Sequence, residues 1–379
     1  MYRLLKHMIP LSILIFYCGI PLFFIRSDYS FKLVLLTVTG VIFYYIGFYS
    51  RKTMKIKKLD VSPKLIEKTI LLIFFFSFSY IIFTAKGIPI LMALKGSTGE
   101  ILAAGREDFL KNRTGLENIF KYLYFIFGSI LVPVILVSNL NSKKPYILLS
   151  LYLFSSIAAL AKANFLKLFL PLLFNRLKNL TTLTLTGIKY ILFILVLIFV
   201  MYKIAGQKTI VFNESGDFWS SSFFSPNILK LISWRIFSIP VITALDWLHV
   251  FENTFNGKLL LGQTSNLLSF LIGESRINFE NMVFEHQYGS VGNANAFFIM
   301  EAYINFGIIG VISFSLIIGY IIRLLMRKIK IGILAIPLFT YMVFNTGLIG
   351  TLFSNGFILL LILLSFTNYY EKKFTIDNQ

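Results

Sequence analysis

The chain has 379 residues, 57% of them hydrophobic and 14% charged, with a formal net charge of +19. Soluble domains carry about a quarter charged residues, so this composition excludes an ordinary soluble globular protein. One cysteine (Cys18) and three histidines (His7, His249, His286) rule out intrachain disulfides and cysteine-based zinc or iron–sulfur sites, and argue against a structural metal site.

The N-terminal run Ile9 to Ile25 is free of charge. No small-residue cleavage site follows it and a second apolar run comes at once, so it reads as a retained helix and not as a removed leader. Cys18 inside it reads as a small packing residue. Apolar runs then predict spans at about 9–25, 33–50, 69–85, 122–139, 146–161, 164–174, 190–204, 296–321, 331–347 and 350–367. The fifth and sixth form a short hairpin around Ala161-Lys162-Ala163-Asn164. The expected fold is an all-α polytopic integral membrane protein of about ten transmembrane helices. It forms a single membrane domain over 1–379, with one large extracytoplasmic loop.

Orientation follows from the basic residues. The connection 51–68 holds Arg51, Lys52, Lys55, Lys57, Lys58, Lys64 and Lys68, which marks it as cytoplasmic. Counting from it puts both termini inside. The inner segments then carry a net +16 and the outer segments a net +2. The high net charge is therefore a topology signal, and nucleic-acid binding is the wrong inference from it.

Two outer loops stand out. The first, 86–121, contains Gly87-Ile88-Pro89 and Gly105-Arg106-Glu107-Asp108. The second, 205–295, is too aromatic to read as disordered, and loops of that length are usually functional. Within it, Leu229 to Phe251 is mildly amphipathic and is expected to lie on or dip into the outer leaflet. No fixed-period repeat, Walker A, glycine-rich dinucleotide or His-Glu-x-x-His pattern occurs, which excludes an ATP-driven pump for this chain alone.

Candidate chemistry sits on the outer side. Arg106, Arg113, Arg235 and Arg276 offer planar forks suited to phosphate oxygens. The competing reading is local ion pairing, of Arg106 with Glu107 or Asp108 and of Arg276 with Glu274. Lys162 and Lys167 sit on the hairpin and either snorkel or line a phosphate-binding cavity. Glu301 is the only acidic residue inside a predicted span. Such a residue faces a polar cavity or sits solvated at the interface. Asn293, Phe297, Glu301 and Asn305 recur at a spacing of four, which puts Glu301 and Asn305 on one face. His286, Glu285 and Asp246 are further candidate proton acceptors, and a solvated loop histidine is the alternative for His286. Gly307, Gly310 and Gly319 read as helix-packing glycines.

Several stretches together resemble the Wzy-type O-antigen and capsule repeat-unit polymerases. They are Lys86-Gly87-Ile88-Pro89-Ile90, Gly105-Arg106-Glu107-Asp108, the charged hairpin, Gly292-Asn293-Ala294-Asn295-Ala296-Phe297-Phe298, and Glu301-Ala302-Tyr303-Ile304-Asn305-Phe306-Gly307-Ile308-Ile309-Gly310. The resemblance implies a metal-independent, cofactor-free glycosyltransferase of the multi-spanning lipid-donor (GT-C-like) type in a bacterial inner membrane. Its implied substrates are undecaprenyl-pyrophosphate-linked oligosaccharides, and a chain-length regulator protein is an implied partner beside the membrane lipids. In that scheme Arg106, Arg113, Lys162, Arg235, Arg276 and Asn293 bind pyrophosphate or glycan, and His286, Glu301 or Asp246 serves the acceptor hydroxyl. One departure is that Lys162 stands where the family often has arginine. An O-antigen ligase and a lipid-linked oligosaccharide flippase are the alternative readings. The nearly charge-free spans and the long loop favour transfer over transport.

Overall fold

The computed structural model describes residues 5–25, 27–50, 62–97, 99–110, 113–139, 144–160, 162–177, 196, 217–221, 223, 225, 227–290, 292–328 and 331–366. The predicted span at 190–204 (apart from Val196), most of the basic connection 51–68 and the tail 368–379 lie outside these residues.

Among the described residues the chain is all-helical, with one isolated parallel bridge between Ala296 and Thr346. In order, the helices are α1 (Met8–Phe23), α2 (Ser30–Tyr49), α3 (Pro63–Thr84), α4 (Pro89–Leu94), α5 (Gly99–Leu110), α6 (Gly115–Ser138), α7 (Lys144–Ala158) and α8 (Lys162–Leu177). They continue with α9 (Ile228–Phe237), α10 (Ile239–Phe255), α11 (Asn266–Ile272), α12 (Phe279–Tyr288), α13 (Phe298–Met326), α14 (Ile331–Asn345), α15 (Gly347–Ser354) and α16 (Phe357–Phe366). Four of them, α2, α3, α6 and α13, are long and apolar enough to cross a bilayer, and the number rises to six if the bent pairs α9–α10 and α15–α16 each count as one span. The chain is thus a multi-pass membrane protein, with α1, α7, α8 and α14 as shorter apolar helices.

The loops differ from the sequence reading. The segment 205–295 is largely helical from Ile228 onward, and its first two helices form an apolar pair bent by 44°. Pro240 lies in the first turn of α10, where its missing N–H costs nothing, and Asn227 caps α9 by accepting from the Leu229 and Lys230 amides. The segment 86–121 holds α4, α5 and the start of α6. Cys18 is buried and shares a 3.0 Å hydrogen bond with Thr37, as a packing residue would.

The centre of the molecule is the crossing of α2 and α13. A Cβ on Gly47 would lie 2.2 Å from the Leu316 carbonyl oxygen, and one on Gly319 would lie 2.1 Å from that of Tyr44. Backbones can approach this closely only over glycine, the usual device where lipid supplies no hydrophobic drive between helices. Replacing Gly47 by Leu should force the helices apart. The expected cost is that of overpacking, about 1–3 kcal/mol, read as a lower unfolding temperature of the purified protein in detergent. An unchanged temperature would show that the crossing is dispensable.

Gly319 packs as the sequence suggested, but Gly307 does not belong with it. Gly307 adopts φ 63° and ψ −153° inside α13, splitting the helix. A side chain is strained there. The break frees carbonyls one turn earlier, and the loop before α11 takes them up. Leu260 N–H donates to the Ile304 oxygen (3.1 Å) and Leu261 N–H to that of Asn305 (3.0 Å).

Candidate functional site

Two polar clusters form where α10, α12 and α13 meet. In the first, an otherwise apolar α10 carries Asp246, His249, Glu252 and Asn253 on one stripe, three or four residues apart. The neighbouring α12 brings His286 and Gln287 against it. Gln287 Nε2 donates to Asp246 Oδ2 (2.8 Å) and lies 3.0 Å from the Thr243 hydroxyl. His286 Nε2 stands 3.8 Å from Asp246 Oδ1. The imidazoles of His249 and His286 stack with centroids 4.6 Å apart. Tyr29, just before α2, meets His249 edge-on, and Asn253 Nδ2 lies 3.2 Å from His249 Nδ1. Beside them Lys32 of α2 pairs with Glu252 and lies 5.0 Å over the Tyr303 ring.

Asp246 is about one-fifth exposed and His286 about two-fifths, so neither is sealed inside the protein. Arg235, at the end of α9, is exposed and acts electrostatically on the Tyr288 hydroxyl. Burial nonetheless dominates at Tyr288 and pushes its pKa up to about 12. His286 is therefore a helical residue facing a carboxylate, where the sequence allowed a solvated loop histidine.

The second cluster is a chain of contacts. Arg276 donates through Nε to the Thr264 carbonyl (3.2 Å), and its terminal nitrogen pairs with Glu280 (3.3 Å). The partner is Glu280, one turn on, and not the expected Glu274. Burial raises the Glu280 carboxyl, and Arg276 opposes that rise. Asn305 Nδ2 donates to the Thr264 hydroxyl (2.8 Å) and to the Glu301 carbonyl (2.7 Å), while its Oδ1 accepts from Gly262 N–H. Glu301 and Asn305 do share a face. The Glu301 carboxylate, 6% exposed, accepts from the backbone amides of Leu348 (2.6 Å) and Ile349 (3.3 Å). It is a buried cap on α15 rather than a solvated interfacial residue. Gly347 makes room for it, since a Cβ there would stand 2.4 Å from the carboxylate.

The remaining candidates scatter. Arg113 is buried, and its nitrogens donate to the Phe109 and Ile81 carbonyls, the Thr84 hydroxyl and Glu117. It ties the end of α3 to the loop before α6. Arg106, half-exposed on α5, has a buried Nε without a hydrogen-bond partner among the described residues. Lys162 opens α8, and its side chain lies outside what is described. Lys167 is buried against the Ser129 hydroxyl at 2.9 Å. Asn293 is exposed, in a stretch without regular secondary structure ahead of α13. The helical spacing therefore does not reach back to it, because α13 begins only at Phe298.

Comparison with protein-family models, curated proteins and solved structures gave no match.

Sequence reading missed Gln287, His249 and Glu280. His249 had a signal, the polar stripe 246–249–253 on an apolar helix; Gln287, on α12, had none. Glu280 had none, because its partner is set by where α12 begins.

Proposed function

We propose that the protein polymerises lipid-linked oligosaccharide repeat units, transferring a growing glycan from undecaprenyl pyrophosphate onto the next lipid-linked unit. The observation that carries this reading is the partly exposed Asp246–His286 pair, with the Arg235 guanidinium on the adjoining helix. An acceptor hydroxyl oxygen attacks the anomeric carbon of the donor. Its proton passes to the Asp246–His286 pair. The bond from the anomeric carbon to the pyrophosphate oxygen breaks, and undecaprenyl pyrophosphate departs with the electron pair. A developing phosphate charge is best met by preorganised cations, for which Arg235, Arg276 and Arg106 are our candidates. Arg113 has its nitrogens committed to the protein's own groups, and one Glu301 oxygen accepts two backbone amides in the interior, so we assign both to the frame. This narrows the candidate base to Asp246 and His286.

The same reading proposes about ten spans in a bacterial inner membrane. They are α1, α2, α3, α6, α7, α8, α13, α14, the bent pair α15–α16 counted as one, and the run 190–204, with α9–α10 re-entering from the outer side and both termini cytoplasmic.

The test uses full-length protein in nanodiscs with a single undecaprenyl-pyrophosphate-linked repeat unit as the sole substrate. A ladder of longer glycans together with free undecaprenyl pyrophosphate is expected. Movement of the substrate across a vesicle bilayer without extension would replace the reading with a flippase, and transfer only to a non-repeat acceptor would replace it with a ligase.

A further inference from the structure

We propose that the segment from Leu259 to Ile272 is a membrane-inserted wedge whose outward side chains sit among lipid acyl chains. This is independent of the catalytic reading.

The segment from Leu259 to Gly273 lacks any charged residue, although it lies within the long connection ahead of α13. Its burial is inverted relative to a water-facing loop. Leu261 is 60% exposed, Phe270 82% and Leu271 68%. Thr264 and Ser269 are buried and hydrogen-bonded inward, to Asn305 and to the Asn266 carbonyl. Asn266, at the start of α11, is the exposed polar exception. Contiguous apolar patches of this kind on a protein surface mark a contact with membrane or partner.

Attachment to a helix of membrane-crossing length decides for lipid. The amides of Leu260 and Leu261 bind the Ile304 and Asn305 carbonyls, which fixes the segment against α13 beyond its first turn. At about 1.5 Å per residue those carbonyls lie roughly 10 Å along α13 from its Phe298 end, just before the break at Gly307. The surface also continues the exposed face of α13. Leu259 sits against Gly307, and Ile308 and Ile309, 43% and 71% exposed, follow directly. Backbone groups entering lipid must be satisfied internally. Part of that requirement is met here: the amides of Gln263, Ser265, Ser269 and Gly273 donate within the segment, and that of Gly262 donates to the Asn305 side chain.

The experiment places an environment-sensitive fluorophore at Phe270→Cys in a Cys18→Ser background, in nanodiscs with or without doxyl groups on the acyl chains. Ile309→Cys serves as the lipid-facing reference and Ser290→Cys as the exposed one. Phe270→Cys should show blue-shifted emission quenched as strongly as at Ile309→Cys, and several-fold slower reaction with an impermeant maleimide than Ser290→Cys. Water-like, unquenched emission overturns the proposal. So does blue-shifted but unquenched emission, which would mean that a second copy covers the patch. The unsubstituted protein gives an arm that needs no variant. Acyl-chain diazirines should label the 259–272 peptide, and labelling confined to other spans refutes insertion.

Discussion

Glu301→Ala should be the most damaging single substitution to the fold, lowering stability by about 2–5 kcal/mol, because it leaves buried donors without an acceptor. The Leu348 and Ile349 amides point at one carboxylate oxygen in the interior. Glu301→Gln keeps a carbonyl oxygen in that place and should recover much of the loss. Gly347→Ala should mimic Glu301→Ala from the other side. Its methyl would fall 2.4 Å from the same oxygen, at a residue with φ +67°, so strain and displacement add. The measurement is the temperature at which monodisperse protein aggregates in detergent. If Glu301→Ala matches the unsubstituted protein, the capping role is wrong.

The second large effect is on transfer. Asp246→Asn and His286→Ala should each slow extension of a lipid-linked repeat unit by about 10²–10⁴, the range for loss of a positioned proton acceptor. The two groups are 3.8 Å apart and act as one unit, so the double variant should be little slower than the worse single one. Gln287→Ala removes only a donor to Asp246 and should cost much less. Thermal stability must stay near that of the unsubstituted protein, which separates a chemical from a structural role. Undiminished rates in both single variants would remove the pair from the mechanism.

How much of this was legible beforehand depends on the physics behind each element. Helices α2, α3 and α13 follow from apolar runs of bilayer length, and the sequence placed each to within a few residues, except that α3 begins at Pro63 rather than residue 69. The sharing of a face by Glu301 and Asn305 follows from helical periodicity. The break at Gly307 does not, because a glycine that packs and a glycine that turns read alike until the carbonyls of Ile304 and Asn305 find their partners. The partners of Glu301 are backbone amides, which carry no side-chain signature. Asp246 and His286 were both singled out, but their meeting depends on α10 and α12 packing together across forty intervening positions. Arg113 read as a candidate phosphate binder, and only the carbonyls of Ile81 and Phe109 reveal its structural use.

The cap on α15 also bears on how the protein is made. Glu301 precedes its partner Leu348 by 47 residues, so at about 5–20 residues per second the ribosome delivers the partner roughly 2–10 s later. During that interval the carboxylate enters the membrane ahead of the amides that will receive it. Biogenesis therefore passes through a stage in which the nascent chain carries an unmatched acid. The C-terminal helices end that stage, and truncating them would harm insertion of the helix that precedes them as well as their own packing.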